Sequence, residues 1–152
     1  MRTIVCLICI LFLCSFANLK PQVMEEGIPV TITVTDLRPD ESGFLVVSVY
    51  VKEDVFPNKP YKFFNVDKSV MIDGTLEYTF TVEKEGQYAI SLLDDLNENL
   101  NIDTNFFGIP KEGYGFSRNA RPRGFFPPKF EDAAFDVDSM GVNLTSRMYY
   151  FL

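Results

Sequence analysis

The sequence predicts an all-β fold, an antiparallel β-sandwich of about seven strands. Apolar and polar residues alternate in one short segment after another, the mark of strands buried on one face. Turn-forming runs such as Asp73-Gly74 separate those segments. No stretch repeats its apolar residues at helical spacing for the length of a helix.

Residues 30–37, VTITVTDL, put Val30, Ile32 and Val34 on one side and Thr31, Thr33 and Thr35 on the other. That is a half-buried strand. RPDESG at 38–43 is a turn. FLVVSVYV at 44–51 is β-branched and apolar nearly throughout, so this strand is expected to be central. Residues 52–68 are expected to be irregular, because Pro57 and Pro60 interrupt a ladder. A strand at 75–82 follows the Asp73-Gly74 turn, with Leu76, Tyr78, Phe80 and Val82 on one face. EKEG at 83–86 turns into QYAISLL at 87–93. EDAAFDV at 131–137 alternates again, with Ala133, Phe135 and Val137 inward, and 141–152 close the chain as a strand.

The first residues have the layout of a secretory signal peptide at 1–17: Arg2, an apolar run from Ile4 to Phe16, then Ser15-Phe16-Ala17 as a cleavage site. The run is shorter than the roughly 20 residues that span a bilayer comfortably. Two alternatives stay open: acylation of Cys14, although Leu13 is large for the position before it, and a retained anchor. Residues 18–152 then form a single domain with a long loop at 94–130, and the mature chain is secreted or periplasmic with no transmembrane segment. Its cysteines, Cys6, Cys9 and Cys14, all lie in the leader, and the chain has no histidine. Without disulfides, such a domain is held by its core or by a metal. The net charge of −7 makes nucleic acid a poor partner.

The insert at 94–130 is long for a structureless connection. It carries Phe106, Phe107, Tyr114, Phe116, Phe125, Phe126 and Phe130, too many rings for a disordered tract, so it is expected to be ordered and packed. Its first part, DDLNENLNIDTN, places Asp95, Asn97, Asn99, Asn101 and Asp103 on alternate positions. Such spacing converges oxygens on one point, as a calcium loop does. Leu100 stands where that loop needs glycine, and Phe106 where it needs glutamate. A calcium site here would therefore be weak, with affinity of about 10⁻⁴–10⁻³ M. The alternative is a turn of Asn and Asp side chains bonded to their own backbone.

The run LLDDLNENLNIDTNFFGIPKEGYGFSRNARPRGFFPPKFEDAAFDV resembles the bacterial family catalogued as domain of unknown function 2141. That family reads D-x-N-G-N-G-x-x-D-T-N-x-x-G-I-P-x-E-G-Y-G-F-S-N-N-A, then P-P-x-F-x-D-A-x-F. The likeness runs from Leu92 to Val137, and the flanking strands fit. It implies an exported sandwich, immunoglobulin- or transthyretin-like, and supplies no activity. By position, Asp95, Asn97, Asn99 and Asp103 match the polar loop, while Glu98 and Leu100 replace its two glycines.

Behind the loop, Arg118, Arg121 and Arg123 stand among aromatics and glycines. Arg118 and Arg121 with Tyr114 and Phe116 are the candidate ligand-binding set, for an anion or a stacked ring. The alternative is pairing of these arginines with Asp94, Glu112, Glu131 or Asp132. Gly-Tyr-Gly lacks the strand–loop–helix context of a nucleotide loop. Without histidine or mature cysteine, Ser-His-Asp and Cys-His catalysis and ordinary zinc sites are excluded. No catalytic residue is assigned. Asn143-Leu144-Thr145 and Asp138-Ser139-Met140 fit glycosylation acceptors only weakly. The expectation is an exported, non-enzymatic binding or accessory module of the cell envelope, its partner a peptide, a glycan or another envelope protein, its one possible cofactor calcium. The alternatives are a purely structural domain and, more distantly, a metal-dependent hydrolase.

Overall fold

The computed structural model describes residues 27–39, 43–52, 55–123 and 126–151, so the expected leader lies outside the described residues. Among these, the chain forms β1 (Ile28–Thr35), β2 (Phe44–Val51), β3 (Lys62–Asp67), β4 (Leu76–Val82), β5 (Gly86–Asp95), β6 (Gly113–Phe116), β7 (Phe135–Val137) and β8 (Val142–Arg147), with one α-helical turn, α1 (Phe130–Ala133), and 3₁₀ turns at Lys68–Val70 and Ser117–Asn119. One sheet has the order β4-β1-β8. The other has the order β3-β2-β5-β6, with β7 also paired to β5. The predicted β-sandwich is what the chain forms.

The alternation read in the sequence becomes the interface between the sheets. Val30, Ile32 and Val34 of β1 are fully buried, and Leu76, Phe80 and Val82 of β4 join them. Leu45, Val47 and Val49 of β2 with Tyr88, Ile90 and Leu92 of β5 supply the opposite face. The other face of β2 and β5 is buried too, against a second cluster of Tyr50, Ala89, Tyr114, Phe116, Ala120, Phe130, Ala133 and Ala134. The chain after β6, from Ala120 through α1 to Ala134, thus covers the outer face of the larger sheet. That is why β2 reads as nearly continuous apolar sequence.

Several elements depart from the sequence reading. Residues 62–67, expected to be irregular, form edge strand β3, antiparallel to β2 from Phe44↔Asp67 to Val49↔Lys62. The prolines lie before this strand, and the apolar Phe63 on its exposed side, next to inward Phe64, masks the alternation. The insert was expected to lack a strand ladder, yet β6 pairs with β5 from Ser91↔Phe116 to Asp94↔Gly113. The expected strand at 131–137 splits into α1 and β7. Asp132 Oδ2 accepts the Lys129 backbone N–H at 3.0 Å, which closes a helical turn instead. The last strand ends at Arg147, and Tyr149 then makes a single bridge to Tyr114.

One pairing is parallel: β8 runs alongside β1 from Val30↔Val142. The turn before β8 explains it. Gly141, at φ 85°, lies against Pro29, where an added Cβ would be 2.2 Å from the carbonyl oxygen. The chain therefore enters β8 beside the start of β1 and can only run with it. Among the described residues, no helix is long and apolar enough to cross a membrane.

Candidate functional site

The polar loop begins where β5 ends. Asp95 is buried, and its two carboxylate oxygens accept the backbone N–H groups of Asn99 at 3.1 Å and Leu100 at 2.7 Å. Asn97 Oδ1 accepts from Asn99 N, and Asn99 Oδ1 accepts from Asn101 N. Asp103 accepts the side-chain amides of Asn97 at 2.6 Å and Asn99 at 3.4 Å. The spacing thus does bring the predicted residues together. A residue that the sequence suggested only as a partner for the arginines completes the loop. Buried Glu112 accepts Leu96 N with one oxygen and Asp103 N with the other. In a segment with so little ladder, these side chains satisfy the backbone.

The loop keeps the shape that two glycines would give it. Glu98 has φ 63° and Leu100 has φ 61°, both left-handed. As for calcium, no group of three or more acidic side chains that could hold an ion occurs among the described residues. The donor set is two carboxylates and three amides, and Asp95 and Asp103 already accept hydrogen bonds from within the loop. That chemistry suits a hard cation only at low affinity.

Beyond Asp103 the chain makes a second turn. Asn105 Oδ1 accepts from Phe107 N and Ile109 N, and Lys111 N donates to Asp103 O. The tip carries Phe106, 98% exposed, edge-on to Phe107. The expected burial of the insert's rings is therefore half met. Tyr114, Phe116 and Phe130 are buried, whereas Phe106, Phe107 and Phe126 are exposed. Phe125 lies outside the described residues.

Between the turn and the C-terminal segment runs a groove of about 530 Å³, with Tyr114 and Phe116 in its wall. Pro57, Ile102, Ile109, Phe126 and Phe151 line it as well. Sequence spacing offered no sign that Pro57 and Phe151, from distant stretches of the chain, would join the insert's residues here. Burial raises the Tyr114 phenol above its ordinary pKa, with Tyr149 adding to the shift, so the wall stays neutral. The predicted arginines are not part of this lining. Arg118 Nη1 donates to the Ala134 carbonyl at 3.1 Å, Arg121 lies over the Tyr149 ring, and Arg123 pairs with Asp132. The glycines of Gly-Tyr-Gly serve packing. A Cβ at Gly113 would meet the Tyr150 ring at 2.2 Å, and one at Gly115 the Arg147 carbonyl at 2.7 Å.

A model of the family described as an uncharacterized protein conserved in bacteria, DUF2141, matches residues 32–145. The chain belongs to this family. Its matched span takes in seven of the eight strands entirely or in greater part, the polar loop and most of the groove, so the DUF2141 region and the sandwich are one unit. Phe151, at the groove's edge, falls outside the match. Comparison with curated proteins and with solved structures found no match.

Proposed function

We propose that this chain is an exported, non-enzymatic binding module of the bacterial cell envelope, and that its groove holds an uncharged apolar segment of a partner protein. The groove carries this reading. No Asp, Glu, Lys or Arg lines it among the described residues, in a chain of net charge −7. Its size lies within the roughly 300–1,000 Å³ of ordinary ligand sites. Phe126 is 75% exposed and Phe151 59%. Covering such rings is worth about 1.5–3 kcal/mol each. A sugar suits the groove less well. Its hydroxyls need hydrogen-bond partners, and the polar side chains here are Asn58, Thr104 and Tyr114. The polar loop holds one wall in place, since Ile102 and Thr104 flank the clamped Asp103. Export rests on the leader pattern at 1–17. Calcium has a secondary place in this reading, as a weak ligand of the loop.

A purely structural role is favoured by the burial of Tyr114 and Phe116, which pack near Tyr50, Phe56 and Phe130. Backbone NMR titration separates the two. A capped, uncharged peptide of alternating proline and leucine should shift the amides of Ile102, Ile109, Tyr114, Phe126 and Phe151. Shifts with cellohexaose instead would make the ligand a glycan. Silence with both probes at millimolar concentration would leave the structural reading.

A further inference from the structure

Away from the groove, Lys68 and Asp94 face each other in the interior. Both are buried, and Nζ lies 2.7 Å from Asp94 Oδ1. The other carboxylate oxygen, Oδ2, accepts the Tyr150 hydroxyl at 2.7 Å. Each partner is held. Lys68 opens a 3₁₀ turn that Asp67 caps through the Ser69 N–H, and it is the buried residue of that turn. Asp94 is fixed in β5, paired with Leu45 on one side and Gly113 on the other. The Tyr150 ring lies against Gly113, where no Cβ stands in its way. The Arg38 backbone N–H donates to the same hydroxyl at 3.1 Å, and the Arg38 guanidinium covers the ring at 4.1 Å. The hydroxyl proton is thereby directed at Asp94.

An amine, a carboxyl carbon and a neutral donor on the far oxygen are the components of amide formation. We propose that Lys68 and Asp94 join through an intramolecular amide bond formed by the folded protein itself. One ammonium proton passes to Oδ1 along the existing hydrogen bond. The freed amine attacks Cγ, and Tyr150 stabilises the negative charge that develops on Oδ2, as an oxyanion donor does. A second proton moves from nitrogen to Oδ1. The Cγ–Oδ1 bond breaks and one water leaves; Oδ2 becomes the amide oxygen. The pair is neutral before and after, and no oxidant or co-reactant takes part. Burial supports the step in two ways. It places the pair where separated charges are poorly solvated. It also keeps bulk water from reversing the reaction. The product ties the segment after β3 to β5, in a domain whose described residues include no cysteine for a disulfide.

Mass spectrometry tests this on the purified full chain. The expected mass is one water below that of the sequence from the observed N-terminus. Proteolysis should yield a branched peptide joining Lys68 to Asp94. Lys68→Arg and Asp94→Ala should each restore the full mass. Tyr150→Phe, which keeps the ring, should slow closure by on the order of 100-fold. Wild-type protein that is folded, yet retains its full mass after days at 37 °C, would overturn the proposal, as would a branch at any other pair. The wild-type measurement stands even if a variant fails to fold.

Discussion

Glu112 reaches across the neck of the polar loop to Asp103: its Oε2 accepts the Asp103 backbone N–H at 2.9 Å, while Oε1 accepts that of Leu96 at 3.0 Å. One carboxylate thus joins the two ends of the loop. Glu112→Ala leaves both donors without their acceptor, at about 1–3 kcal/mol each. Glu112→Gln keeps one acceptor and sets an NH₂ against the other N–H, so its cost should lie between zero and that of alanine. Urea denaturation of the three proteins measures this. Equal stability of wild type and Glu112→Ala would mean that water or another group replaces the clamp.

Leu100 is half exposed and sits at φ 61°. A non-glycine residue in that region costs about 1–2 kcal/mol. Glycine relieves the strain but adds freedom to the unfolded chain worth about 0.4–1 kcal/mol. Leu100→Gly should therefore equal or slightly exceed wild type in stability, and should exceed Leu100→Ala, which keeps the strain. If alanine proves the more stable, the left-handed geometry at this position is not maintained in solution.

Calcium has to compete with hydrogen bonds the loop already makes to Asp95 and Asp103. The melting temperature in one millimolar calcium should therefore lie within about 2 °C of that in chelator, because a Kd near 10⁻³ M yields well under 1 kcal/mol at that concentration. Calorimetry in the two buffers decides it. A rise on the order of 5–10 °C, abolished in Asp95→Ala and Asp103→Ala, would make the loop a structural calcium site.

Burial, followed by the hydrogen bond to Asp94, raises the Tyr150 phenol above its ordinary pKa of 10.0. Burial shifts Tyr50, Tyr88 and Tyr114 the same way. The folded protein thus holds these protons more tightly than the unfolded chain. That contribution is complete below the unfolded pKa and is lost as pH rises past it. Stability should fall above pH 10, and it should fall less steeply in Tyr150→Phe. Urea midpoints between about pH 9 and pH 11 measure the slopes. Parallel slopes would mean that Tyr150 ionises as easily folded as unfolded.

Much of this structure was legible in the chain. Val30, Ile32 and Val34 alternate with threonines, and all three are fully buried. The polar loop was legible too, because its partners lie within a few residues of one another: Asp95 with Asn99 and Leu100, Asn97 and Asn99 with Asp103. The Arg123–Asp132 pair was among the pairings weighed. β3 was missed because exposed Phe63 puts an apolar residue on the solvent side of the strand, next to inward Phe64, and so masks the alternation. α1 was missed because a single turn has no period to read.

Local period and local hydrogen bonding were therefore the sequence's own to decide, since both act between neighbours along the chain. They determined a two-sheet β fold, its turns, and a self-bonded polar loop. The tertiary structure alone decided which distant residues meet. Pro57, Ile109 and Phe151 share a groove, and Lys68, Asp94 and Tyr150 share the interior. Those meetings depend on sheet order, and on a crossover that lays the C-terminal segment beside β6. Strand pairing of that kind is set by the summed burial of the whole core, which no short stretch of sequence encodes.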